Sequence, residues 1–313
     1  MIKIISEDGD VTTDEILEYL LQDYKHFKRY NFQEQNELTL FLNKDLTSNI
    51  SFSNVFHRRG RINTISKTQQ KSIYYSYIKK EEDPVIKAIE YISKQEGKNY
   101  VGEYNAEEQH NKIVDLYLAQ KVGLKIPKTI VTNKKNDIIT FYKECKEKVL
   151  TKCIKRSLYL MVKNVQILGK HSFLINESNI NSLAKISALG IYQEYIEKLY
   201  EVRVFIYKDL IFSMAIFSQQ NDKTKIDYRN YDDEDPNRYV PYKLPIHIER
   251  KIFSFFKRKK INTGSLDLIV NTVGEFIFLE NNPQGQLDWL SKNCNYYIEK
   301  IIANDLILND EKE

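Results

Sequence analysis

Hydrophobic and polar positions recur with two different periods along the chain, and the switches between them lay out its elements. The apolar run "IKII" (2–5) reads as a short buried strand, followed by an acidic turn. Ile16, Leu17, Leu20 and Leu21 then recur at helical spacing, which predicts a helix over 13–23 capped by Thr12 or Thr13. "LTLFL" (38–42) and "NISFSNVF" (49–56) have strand character, and a helix is expected near 84–95. This alternation predicts a small α/β lobe at the start of the chain.

The clearest helix signal comes next. Asn105 with Glu108 resembles a capping box with Asn in the Ser/Thr place; Ile113, Leu116 and Tyr117 continue the helix, Gly123 ends it and Pro127 prevents its resumption. Strands are expected at 128–132, 148–154, 158–162, 189–196, 201–207 and 210–218, with a charged amphipathic helix at 135–147. Lys208-Asp209 alone separates the last two strands, which is the signature of a tight hairpin. Residues 219–245, polar and holding Pro236, Pro241 and Pro245, read as a long loop. A helix (246–260), an apolar hairpin (265–282) and a closing helix (286–308) complete the pattern.

Composition narrows the class. The 313 residues suffice for roughly two domains, or one with lobes, at about 150 residues each. With 42% apolar and 29% charged residues a packed core is expected and disorder is not. A net charge of +4, from 47 bases against 43 acids, does not suggest a nucleic-acid binder. The "KRKK" run (257–260) reads as a solvated helix end where cations suit the dipole. Cys145, Cys153 and Cys294 are too widely spaced for a metal knuckle, and their odd number suits a reducing compartment. No signal peptide is evident and no window approaches about 18 apolar residues, so a cytoplasmic, soluble protein with no membrane partner is expected. The five histidines (His26, His57, His110, His171, His247) lack acid or Ser/Cys partners at motif spacing and are expected to be structural or exposed.

The hairpin carries the candidate chemistry. "LDLIVNTVGEFIFLENNPQGQ" (266–286) has an acid in each apolar arm, although desolvating an unpaired carboxylate is costly. Pairing of 265–270 with 275–282 sets Asp267 opposite or diagonal to Glu280, and period-two alternation puts Glu280 and Asn282 on one face. Either Lys or Arg side chains compensate these acids within an ordinary sheet, or Mg²⁺ does, since it favours carboxylate and other hard oxygen ligands beside phosphates. Lys152, inside the strand "VLTKCIK", either meets an anion such as a nucleotide phosphate or snorkels from an edge strand. Glu201 and Arg203 share one strand face.

Lys152, then "QEYIEKLYEVRVFI", then "GSLDLIV…GEFIFLENNPQGQ" resembles the ATP-grasp ligases in order and spacing. "MIKIISEDGDVTTDEILEYL", "FHRRGRIN" and "NKIVDLYLAQKVGLKIPKTIVTN" are similar to one branch, the grasp-with-spasm peptide maturases related to microviridin ligases and graspetide synthetases. The resemblance implies an ATP-grasp fold with an N-terminal pre-ATP-grasp domain (1–123), a central subdomain (124–192) and a C-terminal subdomain (193–313) carrying the metal site. It further implies that Lys152 binds ATP phosphates, that Gln193, Glu194, Tyr195 and Ile196 hold the adenine, and that Glu201 binds ribose. Arg203 would contact the transferred phosphate or the acceptor carboxylate, and Asp267, Glu280 and Asn282 would bind magnesium. The implied reaction activates Asp or Glu side chains of a ribosomal precursor peptide as acyl phosphates and closes macrocyclic esters with Thr or Ser, or amides with Lys, in a homodimer. Another ATP-grasp ligase acting on a peptide or protein tail, or an inactive peptide-binding relative, are the alternatives.

Arginine recognises carboxylates bidentately, which makes Arg229 in the long loop a candidate for holding the acidic peptide core; a surface role is its alternative, and Arg58, Arg59, Arg61 and Arg238 belong to the same class. Three features depart from the family pattern. Lys152-Cys153 stands for Lys-Pro, and Glu280-Asn281-Asn282 for Glu-Ile-Asn. Between 155 and 172 a lone Gly169 replaces a glycine-rich phosphate loop, leaving Lys163, Lys170 and His171 as candidate phosphate contacts.

Overall fold

The computed structural model describes residues 1–23, 25–38, 53–95, 99–103, 106, 109–155, 159–162, 165–169, 172–230 and 234–311. The expected strand at 38–42, the capping pair Asn105 and Glu108, and the candidates Lys163, Lys170 and His171 lie outside them, apart from Leu38. No helix of the described residues is long and apolar enough to cross a membrane.

Three sheets and one short hairpin organise the chain. The first is parallel, in the order Phe27–Asn31, Ile2–Ser6, Asn54–His57, Asn99–Val101. Its central strand is buried at every position, as a parallel strand covered on both faces must be. The second is antiparallel: Thr129–Lys134, Ile186–Glu194, Val149–Lys152, Ser172–Leu174. The third is a five-stranded antiparallel sheet: Arg238–Pro241, Leu210–Phe217, Lys198–Tyr207, Thr263–Asn271, Phe276–Asn282. Tyr159–Val162 and Val165–Leu168 form a separate hairpin.

Alternation along Lys198–Tyr207 gives the third sheet two different faces. Val202, Val204 and Ile206 join Leu266, Leu268, Val270 and Phe278 under the helix Ile246–Lys259. Phe205 and Tyr207 face the other way, into a core shared with Ile2, Ile4 and Phe56 of the parallel sheet and Ile302 and Leu306 of the helix Ile298–Asp310. Glu201 and Arg203 belong to that second face by period, with the Arg203 guanidinium 6.0 Å from the centre of the Trp289 ring, which packs against the shared core. The four-stranded antiparallel sheet has a core of its own around Ile138, Phe141, Val149 and Tyr192.

Several element boundaries differ from the sequence expectations. The helix expected near 84–95 runs over Tyr75–Gln95 with Pro84 inside it. The first helix is Val11–Gln22, and it has Asp10 at its cap position rather than Thr12 or Thr13. The helix leading to Gly123 is Lys112–Lys121, capped by Asn111, whose Oδ1 accepts from the amides of Ile113 (3.0 Å) and Val114 (3.3 Å). The expected closing helix is two helices, Asp288–Cys294 and Ile298–Asp310, because Asn295 and Tyr297 take left-handed backbone angles (φ 53° each). Within the expected loop, Arg238–Pro241 forms an edge strand.

Candidate active site

The hairpin that closes the five-stranded sheet pairs Asp267 directly with Glu280. This register depends on a bulge. Leu268 pairs with Phe278 and Asp267 with Glu280, so Leu279 is an extra residue opposite Asp267. Strict alternation from the fully buried Phe278 would turn Glu280 into the apolar core; the extra residue turns it to the opposite face, beside Asp267. Arg203 lies across from Asp267 on the other neighbouring strand, so three charged residues stand in a row over three strands.

Asp267 and Glu280 floor a cleft between the two antiparallel sheets, with Arg203 paired to Asp267 beside it. Leu150, Lys152, Ser172 and Gln193 line it from the four-stranded sheet; Lys198, Glu201, Asp267, Leu279 and Glu280 from the five-stranded sheet; Ile226, Asp227, Tyr228 and Arg229 from the loop between them. Leu150, Ile226 and Leu279 are its apolar lining, while Lys112, Lys152 and Arg229 surround Glu280.

Each hairpin acid meets bases. Arg203 Nη1 donates to both oxygens of Asp267 (3.0 and 2.9 Å), and Tyr228 Oη adds a longer contact (3.4 Å). Glu280 accepts from Arg229 Nη1 (3.2 Å) and lies 3.3 Å from Lys112 Nζ. Arg229 also grips Asp227 through Nε and Nη2, both at 2.8 Å, which ties the loop to the hairpin. Burial pushes the carboxyls of Glu280 and Asp227 up. The charges of Lys112, Arg229 and Lys152 outweigh this for Glu280, and Arg229 with the Ser172 hydroxyl outweighs it for Asp227, so both end at about 2. The basic compensation of the hairpin acids considered from sequence is therefore what the described residues display.

Lys152 is the exception among the bases. Its ammonium donates to the Leu279 carbonyl at 3.4 Å, and desolvation, reinforced by Lys112 and Arg229, lowers its pKa to about 8 despite the attraction of Glu280. A cation so weakly compensated, on the wall facing two carboxylates and two further bases, is suited to receive a polyanion. Glu201 is held differently. It accepts from Lys198 (2.5 Å) and Ser218 (2.5 Å), and burial raises its pKa against both contacts.

The remaining expected positions are spread around the cleft. Gln193 lies buried at its back and donates to Thr129 Oγ1 (2.9 Å). Glu194 ends its strand, its amide bonded to the Lys128 carbonyl; Tyr195 follows, its amide bonded to the Lys148 carbonyl, and its side chain lines an adjoining hollow with Leu174, Lys198 and Lys225. Ile196 is half-buried beside it, outside the lining of either. Asn282 is exposed beyond the end of the cleft, its Oδ1 accepting from the Gln284 amide (3.2 Å). Among the described residues no three His, Cys, Asp or Glu side chains cluster as a metal site. Arg58 is buried and donates to the Gln284 carbonyl (2.7 Å), and Arg61 pairs with Glu82 (2.8 Å), so both brace the fold. Arg238 caps the edge strand, its guanidinium 5.5 Å from the centre of the Phe217 ring.

Sequence reasoning missed Lys112, Lys198, Asp227 and Tyr228. Lys198 had a local signal, a base three residues before Glu201. Lys112 had none, because its partner is 168 positions away on another element.

No protein-family model matches the chain, and no curated protein matches it. Solved structures do. A RiPP-associated ATP-grasp ligase of Chryseobacterium gregarium, in complex with ADP and a leader and core peptide, superposes with a TM-score of 0.80 at 23% identity, over 98% of this chain and 96% of that one. The macrocyclase MdnC of Microcystis aeruginosa, bound with its precursor peptide MdnA, gives 0.77 at 21% identity over 98% and 99%. The ATP-grasp ligase PsnB with a minimal precursor, Mg and ADP gives 0.72 at 15% identity over 98% and 96%. The α/β architecture of this chain, with its two antiparallel sheets closing on one charged cleft, is the ATP-grasp fold of these peptide-modifying ligases.

Proposed function

We propose that this protein is an ATP-dependent ligase. It activates Asp or Glu side chains of a ribosomally made precursor peptide as acyl phosphates and closes ester macrocycles with Thr or Ser, or amide macrocycles with Lys. The observation that carries this reading is the convergence of Lys152, Arg229, Asp267 and Glu280 on one cleft between two sheets, with Arg203 paired to Asp267. Its context is a fold shared over nearly the whole chain with ligases solved with ADP and precursor peptides.

The residue roles follow from placement and charge. The adenine would rest against Leu150, Ile226 and Leu279 near Gln193, with Glu194, Tyr195 and Ile196 at the strand exit and Glu201 within reach of the ribose. Lys152 would take the phosphates. Asp267 and Glu280, opposed in register on one face, and Asn282, next on that face by alternation, are the hard oxygen donors suited to magnesium. When bound, magnesium supplies positive charge to the polyphosphate. Arg203, Arg229 and Lys112, now on the two carboxylates, would transfer their contacts to phosphate and to the incoming peptide carboxylate.

In the first step an oxygen of the peptide carboxylate attacks the γ-phosphorus and the bond to the β-γ bridging oxygen breaks, giving acyl phosphate and ADP. Lys152, Arg203 and Arg229 neutralise the charge spread over the transferring group. In the second, a hydroxyl or amine attacks the acyl carbon, loses its proton, and inorganic phosphate leaves. The peptide loses the elements of one water per ring.

Domain limits at 1–123, 124–192 and 193–313, a cytoplasmic location, a homodimer, and the absence of nucleic-acid or membrane partners belong to the same proposal. The test is the purified protein with ATP, magnesium and a Ser/Thr/Asp/Glu-rich peptide encoded beside it. Intact mass falling by one water per ring, and unchanged with Lys152→Ala, is expected. A gain in mass, or ADP release with no change in the peptide, overturns the macrocyclase assignment.

A further inference from the structure

A buried polar strut stands beneath the cleft, where an apolar contact would ordinarily be. Asn281 pairs with Leu266 and so points to the face that carries Leu268 and Phe278, packed on Phe255 and Phe256 of the helix Ile246–Lys259. It is 1% exposed. With its amide turned to suit its neighbours, its nitrogen donates to the Ser265 carbonyl and its oxygen accepts from Lys259 Nζ, each at 3.3 Å. Lys259 Nζ also donates to Oδ1 of the fully buried Asp115, and His110 Nε2 lies 2.9 Å from the other Asp115 oxygen. Asp115 sits on the helix Lys112–Lys121, three residues after the Lys112 that reaches Glu280. Lys259 therefore does not follow the solvated pattern expected of the "KRKK" run, and His110 has an acid neighbour.

Two neighbours of the proposed metal–nucleotide site thus hang on one ammonium. Glu280 turns to the cleft while the next residue, Asn281, points down to Lys259; fixing Asn281 fixes the strand on both sides of it. Through Asp115 the same ammonium fixes the start of the helix that presents Lys112. Apolar side chains could fill this space without desolvating a charged pair, and replacing a buried ion pair by apolar groups is often neutral or stabilising. What the polar strut adds is direction.

We propose that Lys259 is a positioning residue for the magnesium–nucleotide site, setting Glu280 and Lys112 at their working separation through Asn281 and Asp115. The inference rests on the function proposed for the cleft and goes beyond it.

The experiment is calorimetric titration of the whole chain with ADP, with and without magnesium, for wild type, Lys259→Met, Asn281→Leu and the double variant. Outer partners of a metal site affect metal affinity by about 10–100-fold, so each single variant should weaken magnesium-dependent ADP binding at least about tenfold. Magnesium-free ADP binding should stay unchanged in Asn281→Leu and weaken less than magnesium-dependent binding in Lys259→Met, where Lys112 also loses its support. The double variant should match Lys259→Met, because Asn281 acts only through that ammonium, and Lys259→Arg should restore part of the affinity. Asn281→Leu returns an apolar residue to an apolar face and keeps the test open should Lys259→Met fail to fold. Unchanged affinity in Asn281→Leu overturns the proposal, as does equal weakening with and without magnesium, which would mark a merely structural role. Were wild type itself to bind ADP with no magnesium dependence, the reading of the cleft would fall first, and the strut with it.

Discussion

Lys152 carries the sharpest residue-scale consequence, because its environment already disfavours its charge. Desolvation lowers its pKa from 10.5 to about 8 without ligand, and a bound phosphate would restore the proton. The sign follows directly. Below pH 8 the ammonium is charged before and after binding, so affinity is flat. Above pH 8 the free protein has lost the proton, and binding must take one up, so ADP affinity should fall by up to about tenfold per pH unit. Calorimetry at pH 7 and 9, in two buffers of different ionisation heat, should show weaker binding and net proton uptake at pH 9. Equal affinity and no uptake would remove Lys152 from the phosphate site. The folded protein alone responds in the opposite direction: the unfolded chain holds the Lys152 proton more tightly, so stability from this group rises between pH 8 and 10.5.

The hairpin shows how one extra residue creates both walls of the cleft. Leu279 is opposed by the same residue as Glu280; its side chain lines the apolar part of the cleft and its carbonyl meets Lys152. Truncating it should separate the two halves of a nucleotide. Leu279→Ala loses up to about 1.5–3 kcal/mol of apolar burial against the base, which predicts ADP binding weakened roughly tenfold or more. Pyrophosphate binding to the same variant should be unchanged. A parallel loss for both ligands would place Leu279 in phosphate positioning instead. The hairpin's limits, turn and opposed acids were legible because period two and the Asn271–Gly274 turn are local signals. The bulge was not, since Phe278, Leu279 and Glu280 carry no mark saying which of them is extra. Non-local pairing hid the rest. Lys112 with Glu280, Lys259 with Asn281 and Arg58 with the Gln284 carbonyl join elements far apart in sequence. The break at Asn295 and Tyr297 was obscured because neither residue is glycine, the usual bearer of a left-handed angle.

At the scale of the molecule, the four-stranded antiparallel sheet has its own core, while the other two sheets share one through the C-terminal helices. At the cleft the antiparallel sheets meet through Lys152 to the Leu279 carbonyl and Ser172 to Asp227 (2.9 Å), on the loop that Arg229 ties to Glu280, while Ile191 of the four-stranded sheet is buried with Val202 and Leu268 of the other. Polar contacts at the mouth and an apolar joint at Ile191 suit a cleft that must admit a nucleotide and then exclude water. A nucleotide lying across it adds contacts to both sides at once, and a ligand at 100 times its dissociation constant stabilises the folded state by about 2.7 kcal/mol. Hydrogen exchange should locate that stabilisation. Magnesium-ADP should slow exchange together in 149–152, 226–229 and 276–282, segments drawn from both sheets and the loop between, while leaving the parallel sheet at 2–6 and 54–57 near its ligand-free rate. Protection confined to one sheet would mean that the nucleotide does not bridge the cleft, and the charges gathered there would then need another ligand.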